Sequence, residues 1–428
     1  MVKGVAILLI ILCHTSGYWF NNDWKFLYGI VYMWLDVFGP SLFIFLSALS
    51  VVFSITKKKG KLPEHVVRNR IFMRGVLIML VGTLYTLVSN LWYIPNLTLP
   101  FNLYGWNILT FIGLSQIATY YACKLSEPGR IFVGFIILLF SPSLRMGLTE
   151  MILLEQGINP DIWWVQLGIN TDIEGTVPPL IKSNADLNSF ASIMYFILFS
   201  PTPHTPPFPW VSICLISSIW GEWLAEAMHK GTNRAYKDFH KRITKWGIFF
   251  VLIGITFGIE LLTEDTARLE YLDVGLYTIA NWQPIIHFPG MFRFLIHGEP
   301  SNMIYLMGMA LLILSIFFYL VDLKNWTNKL TDVVMYYGKV SLSLFLIHYM
   351  LYFFFPNSLD LPFFIFAIFG YWSFLGFLMY IWIEFGDGKG SPEWIIIQMG
   401  RTADKGEDKV KQVIKKLQPE HKRPPKDG

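Results

Sequence analysis

Charge is scarce in this chain. Of its 428 residues, 34 are Lys or Arg and 30 are Asp or Glu, together 15%, where a soluble domain carries about 25%. The shortfall argues against one large water-soluble core, because the remaining charges sit in short blocks between long apolar runs, as in polytopic membrane proteins. Cysteine is scarcer still. Cys13, Cys123 and Cys214 all fall inside apolar segments, which leaves no disulfide framework and no metal-ligand spacing. A glycine-rich phosphate loop, a zinc signature and a nucleophile elbow are all missing, and no repeat of about 20–50 residues is present. The net charge of +4 is carried by a few loops, which reads as membrane topology rather than a nucleic-acid face.

What is present is apolar and aromatic, 54% and 17% of the residues. Segments near 4–20, 28–54, 73–94, 107–124, 129–146, 207–228, 246–263, 301–321, 338–356 and 361–384 are long enough to span a bilayer. They predict an all-α polytopic membrane protein of about ten transmembrane helices. That count puts the basic loops at 55–75 and 229–245, the lysine-rich tail and Lys3 on one side, and acidic loops on the other. The positive-inside rule makes the basic side cytoplasmic, with both termini there. Residues 188–206 depart from the pattern: Phe190–Phe199 is too short to cross and runs into prolines, so an external re-entrant or interfacial segment is expected. The domain reading is a membrane domain over 1–384 and a cytoplasmic basic tail over 385–428, with an amphipathic helix at 408–417 and disorder beyond it. The opening apolar run lacks a small-residue cleavage site and is read as a retained helix.

That first helix carries the strongest chemical signal. Lys3 and His14 are eleven residues apart, three turns plus about 20° and roughly 16 Å along the axis, so both point from one face. A histidine at that depth is costly unless it faces protein or water, and is a functional candidate; the alternative is a histidine used in helix packing. An imidazole takes or gives a proton near neutral pH, as general-base catalysis requires. The second segment places Asp36, Pro40, Phe43, Ser47, Ser50 and Ser54 on one stripe, with Pro40 expected to kink it and Asp36 able to orient a histidine or bind a hydroxyl. The ninth segment places Tyr337, Ser341, His348 and Tyr352 on one face, with His348 the second mid-membrane histidine. Arg68, Arg70 and Arg74 enter the third segment from the basic side; they serve either as positive-inside anchors or as phosphate ligands together with Lys3. Glu222 and Glu226 are read as structural partners of nearby cations. Of the external histidines His204, His287 and His297, His204 is the best substrate-binding candidate because of its surrounding prolines.

At these residues the chain resembles the superfamily of integral-membrane acyltransferases, which includes the acyltransferase-3 and heparan-α-glucosaminide N-acetyltransferase-like families. Lys3-Gly4-Val5-Ala6…His14 fits the opening basic-Gly…His motif, with lysine where arginine is usual. Pro40–Ser47 resembles the Phe-rich segment ending in Ser, Val67–Arg74 the basic entry into helix three, and Gly338…Ser341…His348 the late Gly-x-x-Ser…His helix. Ile108–Leu114, Phe208-Pro209-Trp210 and Pro300–Leu306 lean towards the heparan-α-glucosaminide branch. The resemblance implies transfer of an acyl group, most often acetyl, from cytoplasmic acetyl-CoA or another acyl-CoA to a sugar hydroxyl or amine of an outer glycan or glycolipid, without a metal. It further implies His14 as general base with Asp36 beside it, His348 as a secondary site group, Lys3, Arg68, Arg70 and Arg74 as CoA ligands, and Ser341 and His204 as substrate ligands. The partners expected are the lipid bilayer, the acceptor and, compatibly, further copies of the chain, with no nucleic acid; the plasma membrane is the expected location. A proton-coupled transporter or a non-catalytic membrane protein of the same fold is the alternative, since buried histidines and an aspartate also build proton relays.

Overall fold

The computed structural model describes residues 1–35, 39–93, 106–159, 187–199, 206–263, 288–396 and 398. Among them the chain is almost wholly helical: α1 (Val2–Trp19), α2 (Lys25–Leu35), α3 (Pro40–Lys58), α4 (Glu64–Tyr93), α5 (Ile108–Ala122), α6 (Glu127–Glu155), α7 (Phe190–Phe199), α8 (Pro207–Lys230), α9 (Asn233–Phe257), α10 (Pro300–Phe317), α11 (Lys329–Lys339), α12 (Ser341–Ile347) and α13 (Leu361–Gly386). The only named strands among these residues, β1 (Leu261–Leu262) and β2 (Met291–Phe292), pair antiparallel.

Local sequence explains several helix ends. Proline occupies the first turn of α3, α6, α8, α10 and α13, where its missing N–H costs nothing. Asn107 caps α5 by accepting from the N–H groups of Leu109 and Thr110, and Asn328 and Thr331 form a reciprocal capping box on α11. Gly231, at φ +60°, ends α8 in the left-handed conformation.

The protein is an all-α polytopic membrane protein. Seven described helices are long and apolar enough to cross a membrane, and the bent α11–α12 pair makes an eighth. The two other anticipated spans are helical but differ in kind. Helix α5 has only 15 residues, and the first half of α9 carries Arg234, Lys237, Asp238, Lys241, Arg242 and Lys245. Helix α7, ten residues long, packs Tyr195, Phe196 and Phe199 against Leu148 and Ile152 of α6. Broad apolar faces point outward, as at Phe363, Phe366, Phe369 and Phe377 of α13 and Phe132 and Phe140 of α6, which suits lipid contact.

Two sequence expectations are corrected here. The stretch 28–54 is not one helix: α2 ends at Leu35 and α3 begins at Pro40, so Pro40 starts a helix instead of kinking one. The ninth segment bends by 73° between α11 and α12, at Val340 with φ −111° and ψ 26°. Tyr337 therefore does not share a helix face with Ser341 and His348. The tail expected to begin at residue 385 emerges from α13, which runs to Gly386, and residues 392–396 form a further helical turn. The amphipathic helix expected at 408–417 lies outside the described residues.

Two apolar cores sit side by side. One joins α3, α8, α9 and α10 through Phe45, Trp220, Phe250 and Leu311; the other joins α1, α11, α12 and α13 through Ile7, Tyr337, Leu344 and Leu375. Phe43 of α3 packs against both, so α1 and α3 form the seam. The far end of α1 is tied across it: Trp19 donates its indole N–H to the Leu351 carbonyl, and the N–H groups of Ser358 and Leu359 donate to the Trp19 carbonyl.

Candidate active site: a cationic cavity and a histidine pair

The seam opens at its basic end into a cavity of about 700 Å³, within the size range of small-molecule sites. Its wall is built from six places in the chain, among them α5 and the segment after α13. Lys3 comes from the first turn of α1. The stripe Phe43, Ser47, Ser50 and Ser54 and then Lys58 come from α3, Arg70 and Arg74 from α4, and Lys339 and Ser341 from either side of the α11–α12 bend. Leu109, Ile112 and Phe345 give the deeper wall its apolar character. The serine stripe anticipated from spacing is thus real from Phe43 onward. Lys3 donates to the Ser50 hydroxyl at 3.4 Å, and Ser115 of α5 donates to Ser47 at 3.1 Å. Five cations, Lys3, Lys58, Arg70, Arg74 and Lys339, line the cavity against one described carboxylate, Glu393. Such a wall favours a polyanion, since guanidinium groups pair with phosphate through two parallel N–H donors.

The helix crossing that sets this geometry depends on small residues. A side chain at Gly4 would collide with the Val334 carbonyl of α11, and one at Gly338 would lie 3.1 Å from the Gly4 nitrogen. Glycine at both positions lets α1 and α11 touch backbone to backbone, which brings Lys3 beside Lys339 in one wall.

The two histidines meet deeper in the seam. The rings of His14 and His348 have centroids 5.1 Å apart, and Tyr349 stands beside both, at 5.4 Å and 4.2 Å. Tyr85 of α4 backs Tyr349 at 5.1 Å. His348 is fully buried, and its Nδ1 bonds the Phe345 carbonyl. That contact makes Nδ1 the proton-bearing nitrogen and leaves a lone pair on Nε2. Phe345 joins the two halves of the site: it lines the cavity, and its ring lies 5.2 Å from that of His348. The cationic chamber therefore ends one side chain short of the histidine pair.

Among the sequence candidates, the structure brings Lys3, Arg70, Arg74 and Ser341 to the cavity and His14 and His348 to each other. Arg68 stands apart, on the exposed side of α4, where its Nε donates to Asn69 at 3.4 Å; the i, i+2 spacing from Arg70 turns it to another face. Asp36, His204 and His287 lie outside the described residues. His297 packs on Trp210 with centroids 5.0 Å apart. Glu222 accepts two bonds from Arg130, at 2.8 and 2.9 Å, and Glu226 pairs with Lys230 at 2.6 Å, the structural pairing expected of both. Sequence reasoning missed Lys58, Lys339, Tyr349 and Glu393. Tyr349 directly follows His348, so its adjacency was legible; Glu393 carried no signal, because only the chain's return past α13 brings it to the cavity.

These features define a class: a polytopic helical membrane protein with a cation-lined cavity one side chain away from a close pair of histidines. The family model for heparan-alpha-glucosaminide N-acetyltransferase, catalytic, matches residues 1–255, and the chain belongs to that family. The match takes in α1 to α8 and nearly all of α9, and with them Lys3, His14, the serine stripe and the arginines. A search among curated proteins found none that matches. Membership makes the protein a membrane acetyltransferase-like protein.

Proposed function

We propose that the protein transfers an acetyl group from cytoplasmic acetyl-CoA to a hydroxyl or amine of a sugar presented at the opposite membrane face. The observation that carries this reading is the continuity of the two half-sites: Phe345 lines the cationic cavity and also packs on His348, whose ring adjoins His14. The basic loops at 55–75 and 229–245 favour the cytoplasm for the cavity mouth, the side on which acyl-CoA is found.

In this mechanism Lys3, Arg70, Arg74 and Lys339 hold the phosphates of CoA, and the thioester reaches inward past Phe345. His14 accepts the proton from the acceptor O–H or N–H as that oxygen or nitrogen attacks the thioester carbonyl. The new C–O or C–N bond forms, the C–S bond breaks, and the thiolate takes the proton from His14 and leaves as CoA. His348, held by the Phe345 carbonyl, fixes the His14 ring and shares the proton in transit. Asp36 and His204 are the acceptor ligands in this scheme.

The test is acyl transfer by the purified full chain in nanodiscs, with acetyl-labelled acetyl-CoA and a pool of amino sugars and oligosaccharides. Label on the glycan with stoichiometric free CoA is the expected result. If no glycan is labelled and a pH gradient drives solute flux in proteoliposomes without acetyl-CoA, the transporter reading replaces this one.

A further inference from the structure

The wall of the cavity includes a segment from beyond the last long helix. After α13 the chain turns at Asp387, Gly388 and Gly390, all with positive φ, and Trp382 Nε1 donates to the Lys389 carbonyl at 2.9 Å to hold that turn. Residues 391–396 then lie back against the α11–α12 bend, where Glu393 and Ile396 become cavity wall. Glu393 makes three bonds there. One carboxylate oxygen accepts from the N–H groups of Leu342 and Ser343, each at 3.0 Å, and the other accepts from the Ser343 hydroxyl. Ile395, between the two wall residues, faces outward and is 40% exposed.

Glu393 is the one described carboxylate among the five cations that line the chamber. It is an anion of this chain, tethered by three bonds. A phosphate admitted to the cavity is attracted by Lys3, Arg70 and Arg74, and its like charge to Glu393 is a cost to binding. The cost falls if the segment swings away, because its only described side-chain bonds to the bend are those three and the glycine turn behind it is hinge-like.

We infer that residues 391–396 form a latch over the donor cavity, held shut by Glu393 on Leu342 and Ser343 and released when the phosphates of CoA enter. This rests on the donor reading above. Closure keeps the cavity's cations from smaller cytoplasmic anions, and release couples donor binding to a movement at the bend from which α12 carries His348.

The test uses the full chain in nanodiscs with coenzyme A as the probe, in wild type, E393Q and S343A. Affinity is measured by equilibrium dialysis, and a spin label at I395C reports motion of the segment. E393Q should bind CoA about tenfold more tightly and S343A, which weakens the tether without changing charge, about threefold. The label should be immobile in the free wild type, mobile once CoA saturates it, and more mobile than the free wild type in E393Q without CoA, because the amide still accepts from Leu342 and Ser343 but holds them without charge assistance. Tighter binding in E393Q with S343A at the wild-type value is a field effect alone and overturns the latch. So does weaker binding in E393Q, which would make Glu393 a builder of the pocket, or a label that stays immobile at saturating CoA. Failure of all three proteins to bind CoA overturns the donor reading and the latch with it, whereas binding without label motion overturns the latch only.

Discussion

His14 and His348 come from opposite ends of the chain and lie with ring centroids 5.1 Å apart, held so by the contact of Gly4 with α11 and by the tie between Trp19 and Leu351. Neither ring can be moved without disturbing the other. The pair is a unit, and its kinetics should be those of a unit.

The first prediction follows from that. H14A should lower acetyl transfer by about a thousandfold, within the 10²–10⁴ range of a general base. H348A should lower it by roughly a hundredfold, through loss of the His14 orientation. The double variant should be no worse than H14A, because residues acting together do not contribute additively. Initial rates with labelled acetyl-CoA, normalised to folded protein, measure this. Full activity in H14A would remove the mechanism.

The cations make a sharper test, because the structure divides a cluster that reads as one in sequence. R70Q and R74Q should each raise the KM for acetyl-CoA about tenfold with little change in kcat, the signature of lost uniform binding, since each removes a charge-assisted contact to phosphate. R68Q should leave both constants unchanged, because Arg68 is exposed and its Nε bonds Asn69. Equal effects at all three positions would mean that long-range field, not contact, recruits the donor.

Arg68 also marks where sequence reading stops. Helix periods made the serine stripe and the Lys3–His14 phase legible, because both depend on local geometry that 3.6 residues per turn dictates. The bilayer made the all-α polytopic class legible through the length of the apolar runs, though of ten anticipated spans seven helices and one bent pair are long and apolar enough to cross. The break before Pro40 and the 73° bend at Val340 were not legible, since both interrupt runs whose hydropathy stays high. Which of three neighbouring arginines faces the cavity, and that Glu393 returns to it, depend on tertiary packing with no periodic signature. The same holds for Phe345: its ring is one apolar residue among many until the fold puts a histidine behind it.

The α1–α11 crossing gives a prediction about stability. G4A should destabilise the protein by about 1–3 kcal/mol, the usual cost of overpacking, because the added methyl meets the Val334 carbonyl, which cannot rotate away. It should also depress transfer beyond the loss of folded protein, since Lys3 and Lys339 flank the same contact. Gly147 of α6 is the control. Nothing lies within 4 Å of a side chain there, so G147A should be neutral or stabilising by up to about 1 kcal/mol, the helix-propensity gain of alanine over glycine. Unfolding midpoints in detergent micelles separate the two, and a G4A protein as stable as G147A would show that the crossing relaxes.

Arg130 of α6 and Glu222 of α8 test whether stability and function are separable. The Arg130 side chain is 4% exposed and that of Glu222 34%. Arg130 donates twice to Glu222, once to the Ser218 hydroxyl at 3.0 Å and once to the Leu125 carbonyl at 3.0 Å. Removing one partner of a buried pair costs about 3–5 kcal/mol, because the other charge is left uncompensated. Glu222 keeps a third of its surface in contact with solvent, so R130M should cost less, about 2–3 kcal/mol. E222Q should cost less again, about 1–2 kcal/mol, because the amide oxygen still accepts from Arg130 and the guanidinium keeps Ser218 and Leu125. The double variant R130M/E222Q should be more stable than R130M alone, since no orphaned charge remains, and that reversal in a double-mutant cycle is the diagnostic. None of these residues lines the cavity, so acetyl transfer per folded molecule should match wild type throughout. A fall in the specific rate of R130M would join α6 to the site, and a double variant less stable than R130M would mean that packing, not charge, sets the loss.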